Sequence, residues 1–430
     1  MKEAIHKFFH LKEKKTNIKT EFFAGLTIFL SMLYVIPVSS EILSHAGMPK
    51  DALVTAVILI TALATFATGI YANTPVAMSV GMGLNAYFAY GIVGGFGVPW
   101  QQALGMVFVS GLFFFIISFG KFKAWILKAI PSNLRVALCV GLGAFLAMIG
   151  LKGMGFFVLK DGNLLLGNIT EPKTLLAVFG VLFILVLYVK KIKAMFIIGI
   201  AIISGLGFFF GLSDAPKTLI SLPASIAPIA LELDLVGILK FSLIPIILAL
   251  MIADLFDSLG TLSGVGVKAK MFQKDDGEDL GKTLKVDAIA TMSGSLLGVS
   301  TTTSFLESVS GVAQGGRSGL TAIFTALFFV GTLFFLPLFL AIPSFAIYPV
   351  LVVVGCAMFL EIDRIDFGDL SSVIASFFVI ILMPLTTSIT AGLSAGFLVY
   401  LLLCIVLRQT HRINSGLLFI CALSAMYFIL

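Results

Sequence analysis

Apolar stretches about as long as a membrane-spanning helix recur along almost the whole chain. A helix needs roughly 20 apolar residues to cross a bilayer, and Phe22–Leu43 and Ala52–Tyr71 meet that length. Only 12% of the 430 residues are charged, against about a quarter in soluble domains. The sequence therefore predicts an all-α polytopic protein of the lipid bilayer. Further spans are predicted at about 101–120, 134–151, 172–189, 194–211, 237–262, 286–298, 319–340, 345–361, 370–386 and 388–407.

The distribution of basic residues predicts the orientation. If the chain starts inside and crosses once per apolar tract, 22 of its 28 Lys and Arg residues face the cytoplasm. This bias follows the positive-inside rule, so residues 1–20 are predicted to be a cytoplasmic N-terminus of a cell-membrane (inner or plasma membrane) protein. A basic cytoplasmic loop is expected at 267–285, including the polar run Gln273–Asp279. The net charge of +6 thus reflects membrane orientation, and no nucleic-acid partner is expected.

Two apolar tracts do not fit ordinary helices. Asn73–Gly91 contains Pro75 followed by glycines at 81 and 83, which oppose a continuous helix. Val299–Ser304 is β-branched and hydroxyl-rich, and it leads into the short segment Phe305–Val312. In each tract we predict a short extended piece followed by a half-helix. Irregular backbone at membrane depth is tolerated only where protein or a water-filled cavity covers it.

The interrupted elements are the third and the tenth of about 14 crossing elements. They lie seven apart, so an odd number of elements in each half requires the second half to run inverted through the membrane. The Ile-Pro-Ser triplets Ile130–Ser132 and Ile342–Ser344 open the fifth and twelfth elements and support this repeat. Interrupted segments at matching positions of two halves indicate a transporter's midplane site. The apolar tail 413–430 is expected to be either an extra span or an interfacial helix.

Three carboxylates lie inside apolar tracts: Asp254 and Asp257 in the predicted span 237–262, and Glu307 in the second interrupted element. A charge at membrane depth costs about a few kcal/mol, so such residues usually mark an ion or substrate pathway. Asp254 and Asp257 are three apart and share a helix face, and Asn85 lies in the first half-helix. We expect these four residues to face one cavity near the half-helix N-termini, which carry partial positive charge. The supporting residues predicted on the half-helix and extended piece are Gly83, Thr302, Thr303 and Ser304.

This set of side chains predicts the chemistry of the ligand. Carboxylate acceptors, an amide and backbone N–H donors suit a flat heterocycle whose edge mixes donors with acceptors. A bare anion fits poorly, because three carboxylates would repel it. Desolvation and a neighbouring carboxylate both raise an acid's affinity for protons, so proton symport is the natural way to neutralise the site. The coupling proton is expected to serve without any cofactor.

The cysteines and histidines give no sign of a metal site. They show no CxxC motif and no Cys/His ligand spacing. The cysteines fall in apolar tracts and are interpreted as small buried hydrophobic residues. They are Cys139, Cys356, Cys404 and Cys421.

Three segments together resemble the azaguanine-type purine permeases of the nucleobase–ascorbate transporter superfamily. They are Pro75–Phe88 (PVAMSVGMGLNAYF), Asp254–Gly264 (DLFDSLGTLSG) and Thr301–Gly319 (TTTSFLESVSGVAQGGRSG). The resemblance implies two inverted seven-helix repeats arranged as a core domain and a gate domain. The core would comprise 21–120 and 237–340, and the gate 130–211 and 342–407.

The same resemblance implies proton-coupled uptake of adenine, guanine and hypoxanthine. Matched motif by motif, Asn85, Asp254 and Glu307 would contact the purine. Asp257 would be critical for transport through proton coupling. Dimers formed through the gate domain are a further expectation taken from the related uracil and xanthine carriers.

Three other classes compete with this interpretation. An intramembrane aspartyl protease should bring one Asp from each of two helices, whereas Asp254 and Asp257 share one and no GxGD motif occurs. A sulfate-permease-like anion carrier of the same fold would offer positive or neutral groups at the half-helices. An uncoupled channel would need no proton-binding acid, and the sequence leaves that alternative open.

Overall fold

The computed structural model describes residues 2–119, 129–160, 163–269, 271 and 278–429 of the chain. Most of the polar run Gln273–Asp279, up to residue 277, lies outside the described residues, and so does the basic stretch 120–128. The described chain is mostly helical, with four short strands. This agrees with the all-α membrane architecture predicted from the apolar tracts.

The first half follows the predicted order of elements, with one π-helix (Thr68–Ala72) extending α4 and another (Tyr87–Val93) extending α5. A last turn, Gly94–Phe96, ends the third element. Its helices and strands are α1 (Lys2–Phe8), α2 (Ile18–Met32), α3 (Val35–Ser44), α4 (Lys50–Ala67), β1 (Met78–Val80), α5 (Met82–Ala86), α6 (Trp100–Ile117), α7 (Ser132–Gly153), β2 (Phe157–Lys160), β3 (Asn163–Leu166), α8 (Pro172–Val189) and α9 (Met195–Phe209).

The second half repeats the pattern with a strand again interrupting its third element. Short 3-10 turns join its helices at Phe241–Leu243, Thr332–Phe335, Leu360–Arg364 and Thr410–Arg412. Its helices and strand are α10 (Ile244–Ala269), α11 (Glu278–Leu296), β4 (Thr302–Ser304), α12 (Ser308–Ala313), α13 (Gly319–Gly331), α14 (Leu336–Ala341), α15 (Ser344–Phe359), α16 (Leu370–Thr386), α17 (Ile389–Val406) and α18 (Ser415–Ile429).

Within the described residues, nine helical spans are long and apolar enough to cross a membrane. Two shorter apolar helices, α9 and α16, together with α11 and the two interrupted elements, complete the 14 predicted crossing elements. The protein is therefore a multi-pass membrane protein with two inverted seven-element repeats. The last helix, α18, has 15 residues, the same length as α9, and both interpretations of the 413–430 tail stay predictions.

The two interrupted elements meet as predicted. Strands β1 and β4 pair antiparallel, with Ser79 opposite Thr303 at the centre. Backbone bonds continue on both sides, because the N–H of Gly81 donates to Thr301 O at 2.9 Å and that of Phe305 donates to Ala77 O at 3.0 Å. The backbone N–H and C=O groups of each extended piece are thus hydrogen-bonded by the extended piece of the other repeat.

Small residues allow the fifth and twelfth elements to approach closely. Helix α7 packs along α15 and α16, and a Cβ on Gly143 would lie only 2.7 Å from the carbonyl oxygen of Gly355. Glycine at such contacts lets membrane helices gain dispersion energy from their backbones. The division into core and gate domains stays a prediction.

The first span is not the continuous helix that its apolar tract predicts. Helix α2 ends at Met32 and α3 begins at Val35, with a turn between them. Pro37 lacks the N–H that would bond to the carbonyl of Leu33, so one backbone hydrogen bond of the α-helical pattern is missing at this turn. The break places Tyr34 at the interruption, where it is 1% exposed.

The predicted loop at 267–285 is shorter than expected, and the prediction of a loop over 278–285 was wrong. Helix α11 already begins at Glu278. Glu278 and Asp279 lie in its first turn, where acidic residues stabilise a helix, and Lys282 pairs with Glu278 at 2.7 Å. The spacing of one helical turn between these charges favours helix over loop.

Candidate functional site

The site is built around the antiparallel pair of strands β1 and β4. Helix α4 supports β1 from one side, because the hydroxyl of Thr65 donates to Met78 O and accepts from Met78 N–H, both at 3.0 Å. Thr61 and Ser79 join their hydroxyl oxygens at 2.6 Å. These contacts fix the strand that leads into α5 and its predicted site residue.

Asn85 lies in α5 and is fully buried. Its Oδ1 accepts a hydrogen bond from the hydroxyl of Ser300, just before β4. Its Nδ2 has no hydrogen-bond partner among the described residues. A buried amide with two free N–H donors is costly, so these donors are available to a further hydrogen-bond acceptor.

Gly83 has a packing role. A Cβ at this position would lie 3.2 Å from Cδ2 of Leu142 on α7. Glycine therefore lets the half-helix approach α7, and no ligand contact needs to be assigned to it.

Asp254 is 1% exposed and points from α10 toward α11. Its Oδ2 accepts from the hydroxyl of Thr291 at 3.0 Å. The same hydroxyl lies 2.9 Å from Thr302 O and accepts from Thr302 N–H at 3.1 Å, which ties the acid to β4. The other oxygen, Oδ1, has no hydrogen-bond partner in the described part of the chain.

Asp257 and Glu307 are half-buried, in contrast to the fully buried Asn85 and Asp254. Oδ2 of Asp257 accepts from the Thr303 hydroxyl at 3.3 Å. Glu307 immediately precedes α12, and its Oε1 accepts from the Tyr34 hydroxyl at 2.5 Å. Since the two carboxylates are close enough to interact electrostatically, the structure brings together acids predicted on two different elements of the second repeat.

The three predicted strand residues act in different ways. The Thr302 hydroxyl donates to Ala290 O at 3.3 Å and so fastens β4 to α11. Thr303 contacts Asp257, and the Ser304 hydroxyl lies 3.5 Å from Oδ2 of Asp287. Thr303 alone of these hydroxyls reaches an acid of the predicted set.

Asp287 is an acid that the sequence reasoning missed. It lies on α11, is fully buried, and accepts from the Ser258 hydroxyl through Oδ2. Its Oδ1 has no hydrogen-bond partner in the described ranges. The missed signal is a polar stripe repeating every four residues on a helix predicted only for its small residues: Thr283, Asp287, Thr291 and Ser295, all 0% exposed.

The geometry offers two kinds of group to a ligand. Carboxylate oxygens of Asp254, Asp257 and Glu307 accept hydrogen bonds, and Nδ2 of Asn85 donates them. A heterocycle with N–H donors and ring-nitrogen or carbonyl acceptors on one edge matches that combination. An anion would face the carboxylates without a described cation that pairs with any of them.

Comparison with known proteins agrees with this chemistry. The model of the permease family (Xan_ur_permease) matches residues 19–395. A protein of Methanocaldococcus jannaschii named as a permease, MJ0326, is 41% identical over 92% of this chain and 91% of its own length. The adenine permease AdeQ of Escherichia coli is 34% identical over 99% and 96%. The guanine/hypoxanthine permease PbuO of Bacillus subtilis is 35% identical over 91% and 93%.

A solved structure supports the fold. The transmembrane domain of the cyanobacterial bicarbonate transporter BicA matches with a TM-score of 0.66, at 18% identity, over 88% of this chain and 97% of that domain. A likeness at this identity establishes the inverted-repeat architecture and carries no information on substrate. Family model and relatives cover nearly the whole sequence, and the chain belongs to this permease family, within the nucleobase–ascorbate transporters that its motifs resemble.

Proposed function

We propose that this protein is a proton symporter that imports purine nucleobases across the cell membrane. The proposal is carried by two buried atoms that have no hydrogen-bond partner among the described residues, Nδ2 of Asn85 and Oδ1 of Asp254. One is a donor and the other an acceptor. The relatives named as adenine and guanine/hypoxanthine permeases point to the same ligand class.

The residues divide into binding and coupling roles. Asn85, Asp254 and Glu307 contact the purine edge, with the two carboxylates accepting its N–H groups. Asp257 carries the coupling proton, since it lies beside Glu307 and is more exposed than Asp254. Adenine, guanine and hypoxanthine all combine N–H donors with ring-nitrogen acceptors, so each can use the set.

Transport follows by alternating access. The helices of the predicted core carry the site, and those of the predicted gate, led by α7, α15 and α16, remain fixed while the core moves. The N-terminus is cytoplasmic in this proposal, because that orientation places most basic residues inside. A homodimer formed through the gate helices would hold them in place.

Uptake of radiolabelled adenine, guanine, hypoxanthine and uracil into cells without their own carriers tests the proposal. Accumulation of a purine that a protonophore abolishes supports both substrate class and coupling. Absence of purine uptake, or uptake indifferent to the proton gradient, overturns it. Accumulation of bicarbonate or sulfate instead would favour the anion-carrier alternative.

Two variants test the assigned roles. Glu307→Gln should abolish purine binding, because the amide offers one acceptor oxygen in place of two charged ones. Unchanged adenine or guanine affinity would exclude that role. Asp257→Asn should leave measurable binding and remove the pH dependence of uptake, whereas fully pH-sensitive uptake in this variant would exclude Asp257 as the coupling group.

A further inference from the structure

Asp287 has no assigned part in purine binding, yet it is as fully buried as Asp254. It faces hydroxyls from β4 and α10, and the acids that interact with it electrostatically are Asp254 and Asp257. No ion pair to these three acids occurs among the described residues. Three neighbouring carboxylates, two of them fully buried and one half-buried, are too costly to remain fully ionised without a countercharge, so the cluster holds at least one proton.

A continuous row of oxygen atoms connects Asp287 with Asp257. Oδ2 of Asp257 lies 3.3 Å from Oγ1 of Thr303, which lies 2.8 Å from Oγ of Ser258. Ser258 in turn donates to Oδ2 of Asp287. Ser258 also accepts from Ser304 N–H at 3.3 Å, which fixes its hydroxyl between the two neighbours.

All three hydrogen bonds along this row can form only when one extra proton is present. Its four oxygens are joined by three links, but the two hydroxyls supply only two protons. If both acids are ionised, each hydroxyl donates outward and the Thr303–Ser258 link has no proton. One added proton, on either carboxyl, fills all three links.

We propose that Asp257 and Asp287 are the two ends of a proton relay through Thr303 and Ser258. This inference rests on the proton symport proposed above. In the transfer, protonated Asp257 gives its proton to Oγ1 of Thr303, Thr303 gives its own to Oγ of Ser258, and Ser258 gives its own to Oδ2 of Asp287. Each O–H bond that breaks is matched by one that forms, and the net change is one proton moved from Asp257 to Asp287.

The relay gives the site a place to hold the coupling proton away from the purine. Asp287 is fully buried, whereas Asp257 is half-buried beside Glu307. A proton that enters through Asp257 can then be held at Asp287 while the purine is bound. Breaking the relay should therefore impair proton-driven turnover and spare the exchange of purine by carriers that remain protonated.

The test uses the full-length protein reconstituted in liposomes, with radiolabelled adenine as the probe. Ser258→Ala should lower accumulation driven by a pH gradient about tenfold or more, while adenine exchange without a gradient stays within about twofold. Ser258→Thr retains the hydroxyl and should restore accumulation. Ser295→Ala is the matched control, since among the described residues the buried Ser295 hydroxyl bonds only to Met292 O of its own helix.

A second pair of variants covers the case in which Ser258→Ala fails to fold. Thr303→Val removes the other hydroxyl at nearly constant volume, and Thr303→Ser retains it. Thr303→Val should uncouple accumulation from the pH gradient and Thr303→Ser should not. Asp287→Asn, which keeps the shape of the carboxyl, should reproduce the uncoupled behaviour of Ser258→Ala.

The outcomes separate the relay from the function on which it rests. Wild-type protein that exchanges adenine but does not accumulate it under a pH gradient overturns the symport proposal itself. Wild-type coupling together with full coupling in Ser258→Ala and Thr303→Val overturns only the relay. Equal loss of exchange and accumulation in these variants also overturns it, because that result indicates a structural role for the hydroxyls.

Discussion

Glu21 is as buried as Asp254 and Asp287, but the surroundings of these acids differ. Glu21, in the first turn of α2, is 0% exposed and accepts five hydrogen bonds of 2.6–3.3 Å. They come from the backbone N–H groups of Arg317, Ser318 and Thr321 and from the hydroxyls of Ser318 and Thr321. These groups surround the start of α13, where free amides favour a negative charge.

The acids beside the paired strands β1 and β4 lack such a shell of hydrogen-bond donors. Asp254 and Asp287 each have one carboxylate oxygen without a hydrogen-bond partner among the described residues. Burial alone therefore does not mark a functional acid in a membrane. An acid satisfied by fixed donors belongs to the scaffold, and an acid left incomplete is available to a proton or a substrate.

Truncating Glu21 should give the largest loss of stability. Glu21→Ala leaves three amides and two hydroxyls without their acceptor, so the free energy of unfolding should fall by about 3 kcal/mol or more. Thermal unfolding of the purified protein in detergent measures this. Glu13→Ala is the control, because Glu13 is exposed and its side chain pairs with the exposed His10; equal midpoints for the two variants would contradict the scaffold role.

Asp254→Asn, unlike Glu21→Ala, should weaken substrate binding without lowering stability. The change removes a buried charge whose Oδ1 is unpartnered, so the thermal midpoint should hold or rise. Adenine affinity should fall by about 2 kcal/mol, or roughly 30-fold, because an acceptor is lost. Equilibrium binding together with thermal unfolding checks both parts, and a variant that unfolds early yet binds normally would reverse the assignment.

Asn85→Ala should have a smaller effect on binding. It removes the free Nδ2 donor, and a neutral hydrogen bond contributes about 1 kcal/mol, so affinity should fall by roughly fivefold to tenfold. Ser300→Ala removes only the group that donates to Oδ1 and should weaken binding less. If Ser300→Ala weakens adenine binding more than Asn85→Ala does, the amide is structural and resembles Glu21.

The smallest effect is expected for a third acid, outside the membrane spans. Asp369 pairs with Arg412 at 2.6 Å. Partial desolvation raises the pKa of the Asp369 carboxyl, but hydrogen bonds from Ser371 and Ser372 and the pairing with Arg412 outweigh it, so its pKa lies below the ordinary 3.8. A lowered pKa adds stability that is present above pH 3.8 and lost as pH falls through the folded-state value.

Arg412→Gln should therefore lower the free energy of unfolding by less than about 1 kcal/mol near neutral pH. The difference from wild type should shrink as the pH falls below 4. Thermal midpoints measured between pH 3 and 7 test this. A difference that grows toward acid pH would show that the pair does not act through the Asp369 charge.

Much of this architecture could be predicted from local sequence. Pro75, the nearby glycines and the hydroxyl-rich run Val299–Ser304 have direct conformational consequences, so both interruptions and their meeting were foreseen. The acids Asp254, Asp257 and Glu307 stood out because their neighbours in sequence are apolar. The kinked first span was missed, although Pro37 carried the signal.

Contacts between distant segments set the limit of that prediction. Nothing local distinguishes Glu21, which receives donors some 300 positions away. Asp287 follows a basic stretch and resembles the end of a loop, because its burial depends on α10 and β4 packing over it. The roles of both acids follow from the donors that the fold brings to them.

The pairing of β1 with β4 also constrains how the chain is made. The partner of β1 is not synthesised until residue 304, more than 200 residues later. At roughly 5–20 residues per second, the ribosome leaves the first strand unpaired for about 10 to 45 s. Exposed backbone is costly in lipid, so the first repeat is an incomplete insertion product that needs shelter until the second arrives, and neither half should reach its final structure if expressed alone.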